Sequence, residues 1–499
     1  MSQYDDIIQK AVDEATKALS GQPGDVEKTT ATLSTAQYGY SLEAPAKQLV
    51  PFLTPWQQLV PRFKVPTGGS HQYRRITNIA VTGKSTAAEG TVGNAAAYTA
   101  DLQTVNFGIV SSGVHDITWE AEQAAGSFDN LRSRLVTNAL LTGRRAESAH
   151  IFGGNVTALA AVDASVAVAM ADNTNVTGTV ANAAYYAYIK PLTAMAVQKA
   201  ISAGLILKPT GTYNACHPAG WTTSAPTLTC DQTDGWGVES TVATATPTLN
   251  KGITLTWQNV PGACGYGIFL GTSSGITNAK LYGVTGQRSI TMLNPAATGS
   301  SAGVSGDNSA DANDFNGLIN LVEASGSGSY VSVLGSTLSA SQGTGIPEID
   351  AMLESVYLQA LGVDDGYLIC GVQDRHGITY AFGQGAANNI ARFMVGSSGQ
   401  NQPVGGGFMN KYIHPVTGRE IEILTDPWLC GGNIAFIPKS FPFPMADVAA
   451  PLAMAMSYDW TNFEYAQTAP KRIFENRMRG GLACYLPPAF GILKDVRRP

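Results

Sequence analysis

Residues 127–154 read SFDNLRSRLVTNALLTGRRAESAHIFGG, and the period of this stretch organises the reading of everything around it. Phe128, Leu131, Leu135, Ala139 and Ala146 fall on one stripe at helical spacing, while Arg132, Arg134, Arg144 and Arg145 lie mostly off it. Ser127 offers a side-chain oxygen to the first free backbone N–H groups, and Gly153-Gly154 closes the element. A helix of about 24 residues would run about 36 Å, longer than the globular average. Gly143 weakens the pattern, because glycine inside a helix costs about 1 kcal/mol relative to alanine.

Upstream, 70–118 reads as a long β-hairpin. Tyr73, Ile76, Ile79 and Val81 mark the outgoing strand, and Val105, Phe107, Ile109 and Val110 the return. Between them Gly83 to Ala100 is small and polar, with Gly90 and Gly93 at the tip. Such a hairpin lacks the apolar surface to bury itself on its own molecule, so it is expected to reach a neighbour. Residues 42–64 are punctuated by proline and carry Phe52 and Trp56, the pattern of an extended arm. At the start, Tyr4, Ile8, Val12, Ala15 and Leu19 recur at helical spacing until Gly21-Gln22-Pro23-Gly24 stops them. A helix that short is marginal alone and needs a partner surface.

Downstream, 156–308 changes composition to Thr, Ala, Val, Asn and Gly with few charges. Ile253, Leu255 and Trp257 alternate on one face, Val260-Pro261-Gly262-Ala263 turns the chain, and Tyr266, Ile268 and Leu270 alternate on the next strand. Leu281-Tyr282 and Ile290-Thr291-Met292 continue a β-sandwich pattern. The Gly/Ser/Asn-rich stretch 298–310 reads as a linker leading out. From Asn313 helices and strands mix: a helix from Ile346-Pro347 through Leu361, strands at Tyr367–Cys370, Ile421–Leu424 and Asn433–Pro438, and a last strand pair from Phe474 to Leu486. Without a regular βαβ rhythm, this argues for α+β.

Composition bounds the function classes. Charged residues are 14% of 499, well below the roughly 25% expected of soluble proteins, which suits a surface buried against copies of the same chain. A net charge of −6 argues against a dedicated nucleic-acid binder but leaves room for loose contact with DNA. No apolar run is long enough to span a membrane, and the N-terminus lacks the basic and apolar regions of a signal peptide. The chain is therefore expected to be made in a cytoplasm with its N-terminus uncleaved. The six cysteines are scattered, with no C-x-x-C pair, and read as buried thiols; a Cys216–Cys230 bridge is disfavoured in a reducing compartment.

The ordered set of arm, long hairpin, long helix, inserted sandwich and mixed α+β finish resembles the major capsid proteins of tailed bacteriophages with the Hong Kong 97-type fold. The words that carry the resemblance are Asp314-Phe315-Asn316-Gly317-Leu318-Ile319, similar to the family's entry to the A-domain with Asn where Asp is commoner, the helix Ile349 to Leu361 followed by Tyr367-Leu368-Ile369-Cys370, and Arg479-Gly480-Gly481-Leu482-Ala483. The resemblance covers about 40–155 and 310–495. It implies an N-terminal helix and arm (1–64), an E-loop (65–118), a P-domain spine helix (119–155), an A-domain (309–440) and a C-terminal P-domain part (441–499). Within 156–308, Leu255-Thr256-Trp257, Val260-Pro261-Gly262-Ala263 and Gly265-Tyr266 resemble fibronectin type III and immunoglobulin-like modules, which implies an outward-facing insertion rather than part of the structural core.

The function implied is a shell subunit forming pentamers and hexamers of an icosahedral head around double-stranded DNA. Its partners would be further copies of itself, portal, scaffolding and decoration proteins, and packaged DNA without sequence preference. No cofactor, metal or membrane is called for, and no enzymatic activity. Some family members crosslink an E-loop lysine to a neighbouring asparagine, and Lys84 is the hairpin lysine to consider. Arg132, Arg134, Arg472 and Arg477, with Lys471 and Arg479, are candidates to face DNA, against the simpler reading of solvated charges.

Three alternatives stand beside this reading: an encapsulin-type compartment, a surface adhesin built on fibronectin-like modules, and a hydrolase. The last would rest on Gly271-Thr272-Ser273-Ser274-Gly275, which matches G-x-S-x-G but falls between sandwich strands rather than between a strand and a helix.

Overall fold

The computed structural model describes residues 55–65, 69–78, 88–90, 99–125, 131–209, 214–222, 224, 226–294, 299–339, 345–360, 362–385, 410–442, 448, 450–466 and 470–497. The expected N-terminal helix, most of the arm, most of the hairpin tip including Lys84, and Ser127 lie outside the described residues. What is described belongs to the unit Val50–Pro499 and is α+β.

Two long antiparallel strands, Leu452–Glu464 and Lys471–Cys484, form the middle of a five-stranded sheet. Arg62–Lys64 adds in parallel along Leu452–Glu464, and Gly108–Ser111 and His115–Thr118 pair along the other side. The long helix is Leu131–Gly153, and it packs on this sheet, with Asn476 Nδ2 donating to Val136 O at 3.2 Å. Gly143 is tolerated in the helix because the indole of Trp460 fills its place: a Cβ there would stand 2.5 Å from the ring. Ala139 is buried in the first half of the helix, and burial concentrates in the second half, at Gly143, Glu147, Ser148, Ala149, Ile151, Phe152 and Gly153.

Two readings of this layer are corrected. The 70–118 hairpin is shorter than its pattern: Ser70–Asn78 pairs with Thr99–Asn106, but Ile109 and Val110 belong to the separate strand Gly108–Ser111. Gly108 passes so close to the backbone of Asn313–Phe315 that a Cβ would lie 2.7 Å from the Asp314 carbonyl carbon, and Ile109 N donates to Asn313 O at 2.9 Å. Phe474 to Leu486 is not a strand pair either. Lys471–Cys484 is one strand, and Gly480-Gly481 is a site of close approach, where added Cβ atoms would meet Ala455 O at 2.7 Å and Val105 Cγ1 at 2.2 Å.

The sandwich consists of two four-stranded sheets, Ala169–Asn173, Gly252–Thr256, Ser289–Met292 and Ala215–Cys216 in one, and Lys280–Thr285, Gly265–Gly271, Tyr185–Leu192 and Ala243–Ala245 in the other. Ile253, Leu255 and Trp257 are buried together as their alternation indicates. Gly265–Gly271 departs from simple alternation and is buried on both faces. Trp236 covers Gly267, where a Cβ would come within 2.3 Å of its ring, and Val197 of the helix Ala194–Ser202 crowds Gly265.

Residues 298–310 are not the free linker their composition suggests. Among those described, Leu281 N donates to Ser301 O at 2.9 Å, Gly303 N to Ala279 O at 3.1 Å and Asn308 N to Trp236 O at 2.8 Å. The buried Lys190 Nζ donates to Val304 O at 2.6 Å and Gly306 O at 3.0 Å. Small residues serve close packing here rather than looseness.

The last layer is a mixed six-stranded sheet in the order Tyr330–Thr337, Gly491–Arg497, Asn433–Pro438, Gly366–Cys370, Glu420–Thr425, Lys411–Ile413. Ile349, Met352, Leu353 and Val356 of the helix Pro347–Gln359 are buried. A single apolar cluster runs through this sheet and the sandwich alike. The expectation that the insertion stands apart from the structural core is therefore corrected.

Candidate functional site

For a chain read as a shell subunit, the functional parts are the elements that would meet other copies and the groups that hold them in place. The hairpin comes first. Alternation turns Tyr73, Arg75 and Val105 inward, where Tyr73, Val105 and Phe107 pack with Ala455, Ala483, Phe63 and Tyr485. Ile76 N donates to Tyr485 O at 2.8 Å, and Arg75 pairs with Asp101 at 3.3 Å. The hairpin root is thus anchored on the five-stranded sheet. Its other face carries Arg74 opposite Leu102, and Leu102 is 66% exposed.

The segment before the hairpin is held by two buried carboxylates. Glu147, on the long helix, is fully buried and accepts from Arg62 at 2.7 Å, Gln57 Nε2 at 3.0 Å and Trp460 Nε1 at 2.9 Å. Burial pushes its pKa up, against the pull of Arg62. Arg62 also pairs with Asp459 at 2.6 Å. Asp426 accepts from Trp56 Nε1 at 2.9 Å and from Trp428 N at 2.9 Å, and burial raises its pKa as well. One short segment is thereby fastened to the helix, the five-stranded sheet and the six-stranded sheet. The residue stripe Ala139–Gly143–Glu147 is the sequence signal that could have marked Glu147 as inward-facing, but its partners are remote in sequence.

At the end of the long helix, the word Asp314-Phe315-Asn316-Gly317 closes a tight junction. Asp314 accepts from Asn155 N at 3.0 Å and lies 2.7 Å from His150 Nδ1; Phe315 is buried, and Asn316 Oδ1 accepts from Val156 N at 3.3 Å. Burial disfavours a charged His150, but the Asp314 carboxylate outweighs it and raises the imidazole pKa. Gly317 cannot be larger: a Cβ would stand 2.5 Å from Gly154 N and 2.6 Å from His150 O.

Of the basic residues singled out from sequence, Arg132 and Arg472 meet at one carboxylate, Glu464, at 2.7 Å and 3.6 Å, and Arg472 also pairs with Glu122 at 3.0 Å. Arg477 is held separately by Glu475 at 2.7 Å. Burial works against the Glu475 charge, but hydrogen bonds from Arg477, Ser111 and Tyr465 bring its pKa down to about 2. Arg134 is half-buried on the long helix, and Lys471 pairs with Asp116 at 2.8 Å. Arg132, Arg472, Arg477 and Lys471 therefore each sit beside a carboxylate.

Ser273 lies in a turn that follows the strand Gly265–Gly271 and leads into a three-residue 3-10 segment, Ile276–Asn278, so the strand-to-helix geometry of a nucleophile elbow is not built here. The six cysteines are free thiols, five of them buried. Among the described residues no group of three or more His, Cys, Asp and Glu side chains converges to hold a metal ion, and no helix is long and apolar enough to cross a membrane.

No family model matches the chain, and no curated protein does. Solved structures do. The chain is similar to the cyanophage A-1(L) capsid protein at 9% identity, covering 92% of this chain and 96% of that one, with a TM-score of 0.40. It is similar to the capsid of cyanophage P-SCSP1u at 8% identity over 93% and 92% of the two chains, TM-score 0.37. Similarity to the capsid of a native GTA particle is 10% identity over 92% of this chain and 100% of that chain, TM-score 0.34.

Proposed function

We propose that the chain is a structural capsid subunit whose copies assemble into the icosahedral head of a tailed phage enclosing double-stranded DNA. The observation that carries the reading is the hairpin Ser70–Asn78/Thr99–Asn106, fixed at its root and presenting an outer face with an exposed Leu102. An element anchored at its root, with an outer face left uncovered by the described residues, suits a role in covering a neighbour. In this reading the hairpin is the E-loop, Leu131–Gly153 the spine helix, the five-stranded sheet the rest of the P-domain, and the six-stranded sheet the A-domain that gathers at five- and six-fold centres.

In this reading the subunit is a structural protein and not an enzyme. Stability of the shell comes from many repeated contacts accumulated over large areas. Portal, scaffolding and decoration proteins are its further partners, DNA is contacted without sequence preference, and the site of action is the virion after assembly in a host cytoplasm. Lys84 crosslinking is tested by boiled, reduced gels of intact particles, where a ladder supports it and a single band near 52 kDa excludes it. Expression with scaffolding and protease partners, followed by negative-stain microscopy, tests the shell itself: closed particles support the proposal, and persistently monomeric protein overturns it.

A further inference from the structure

The last strand, Gly491–Arg497, contains a residue that ordinary strand geometry does not explain. Asp495 has φ of +53°, in the left-handed region, and is 1% exposed. Its neighbour strand slips in register between Val333 and Ser336, where Gly335 takes φ of +66°. The result is a bulge between the buried strand Gly491–Arg497 and the half-buried edge strand Tyr330–Thr337. Strained positions of this kind persist only where surrounding structure over-determines them.

The bulge changes where side chains go. In a regular strand Lys494 and Asp495 would point to opposite faces. Here both reach the insertion. Lys494 Nζ donates to Ala263 O at 3.1 Å and pairs with Glu323 at 2.7 Å, and Glu323 in turn accepts from Gly262 N at 2.6 Å. Asp495 accepts from Arg288 N at 2.9 Å and faces the Arg288 guanidinium at 3.3 Å. Consecutive residues therefore grip two turns of the sandwich, 260–264 and 285–289. The seam between them is close: a Cβ on Gly286 would stand 2.0 Å from Gly431 O, and Asn433 Nδ2 donates to Cys264 O at 3.2 Å.

We infer that Lys494 and Asp495 form a buried charged key that fixes the insertion to the six-stranded sheet, making the insertion a brace that moves and unfolds with that sheet rather than an independent module. The Asp495 backbone conformation is the device that lets adjacent residues act together. Breaking one side of a buried ion pair leaves a charge without compensation, which is why the key is strong and why each half depends on the other.

Hydrogen exchange of the full chain, read with increasing denaturant, tests this. In the wild type the amides of Gly265–Gly271 in the sandwich and Asn433–Pro438 in the sheet should open together. Two separate openings would overturn the inference. Asp495→Gly is the informative variant, because glycine adopts a positive φ without strain and keeps the bulge while removing the carboxylate. The expected result is a loss of protection at Gly286–Arg288 of about a hundredfold, with the two sets of amides no longer opening together. Equal or greater protection than wild type would mean that Asp495 is merely strained, and would sink the proposal. Lys494→Met, which keeps the apolar stem, should give the same separation from the other turn; retention of a single common opening in this variant counts against the key.

Discussion

Replacing Glu147 with alanine probes the knot that ties the long helix to the segment preceding the hairpin. The carboxylate is fully buried, and three donors converge on it: Arg62, Gln57 and Trp460. Truncation leaves Arg62 with Asp459 alone, a partner that is 60% exposed, and strands the Trp460 indole N–H, while Gln57 keeps its bond to Arg144 O at 2.9 Å. Breaking a buried pair from one side costs about 3–5 kcal/mol. Arg62 is 23% exposed and keeps some solvent, so the lower end, about 3 kcal/mol, is expected. Glu147→Gln keeps an acceptor and removes a charge that burial disfavours, so its cost should be about 1 kcal/mol. The assay is native-state hydrogen exchange of the helix amides at 143–153, which reports local opening without requiring the whole chain to unfold in one step. A change within about 0.5 kcal/mol for the alanine variant would refute the assignment of Glu147 as the centre of the knot.

Gly143→Ala gains helix propensity of about 1 kcal/mol but drives a methyl group into Trp460, and overpacking should win by about 1–2 kcal/mol net in a chemical-denaturation measurement. Gly317→Ala meets backbone atoms that cannot yield, so a large drop in soluble, folded protein is expected on expression trials. Burial holds the Asp374 carboxyl at about 7 against an ordinary 3.8. Its folded pKa is raised, so its contribution is fully present below 3.8 and is lost as pH rises to about 7. Asp374→Asn should therefore be more stable than wild type at pH above about 7 and show a flatter stability profile between the two values, measured by melting temperature across pH.

Some of this fold was legible because local pattern and final environment agree. The stripe through Leu131, Leu135 and Ala139 announced the helix, and Ile253, Leu255 and Trp257 announced a one-sided strand that is buried as expected. Asp314-Phe315-Asn316-Gly317 stood out as a word, and the junction it builds with His150 and Asn155 gives physical reasons for each of its residues. The misreadings share one cause. Glycine and serine mark a flexible turn or a close approach equally well, and only the partner decides between them. The stretch 298–310 looked like a linker and proved to be a pinned strap, and Gly480-Gly481, inside the stretch read as a strand pair, is a crossing against Ala455 and Val105. Glu147, Asp426 and Lys190 escaped notice for a related reason. A polar residue at a core position reads as surface until Arg62, Trp56 or the carbonyls of Val304 and Gly306 are seen beside it.

The measurement that bears most directly on the account is electron cryo-microscopy of particles formed by this chain with its assembly partners. Closed shells of pentamers and hexamers are expected, with the Ser70–Asn78/Thr99–Asn106 hairpin lying over an adjacent subunit and Leu102 covered there. Protein that stays monomeric under those conditions, or a shell in which Leu102 remains open to solvent, would contradict it.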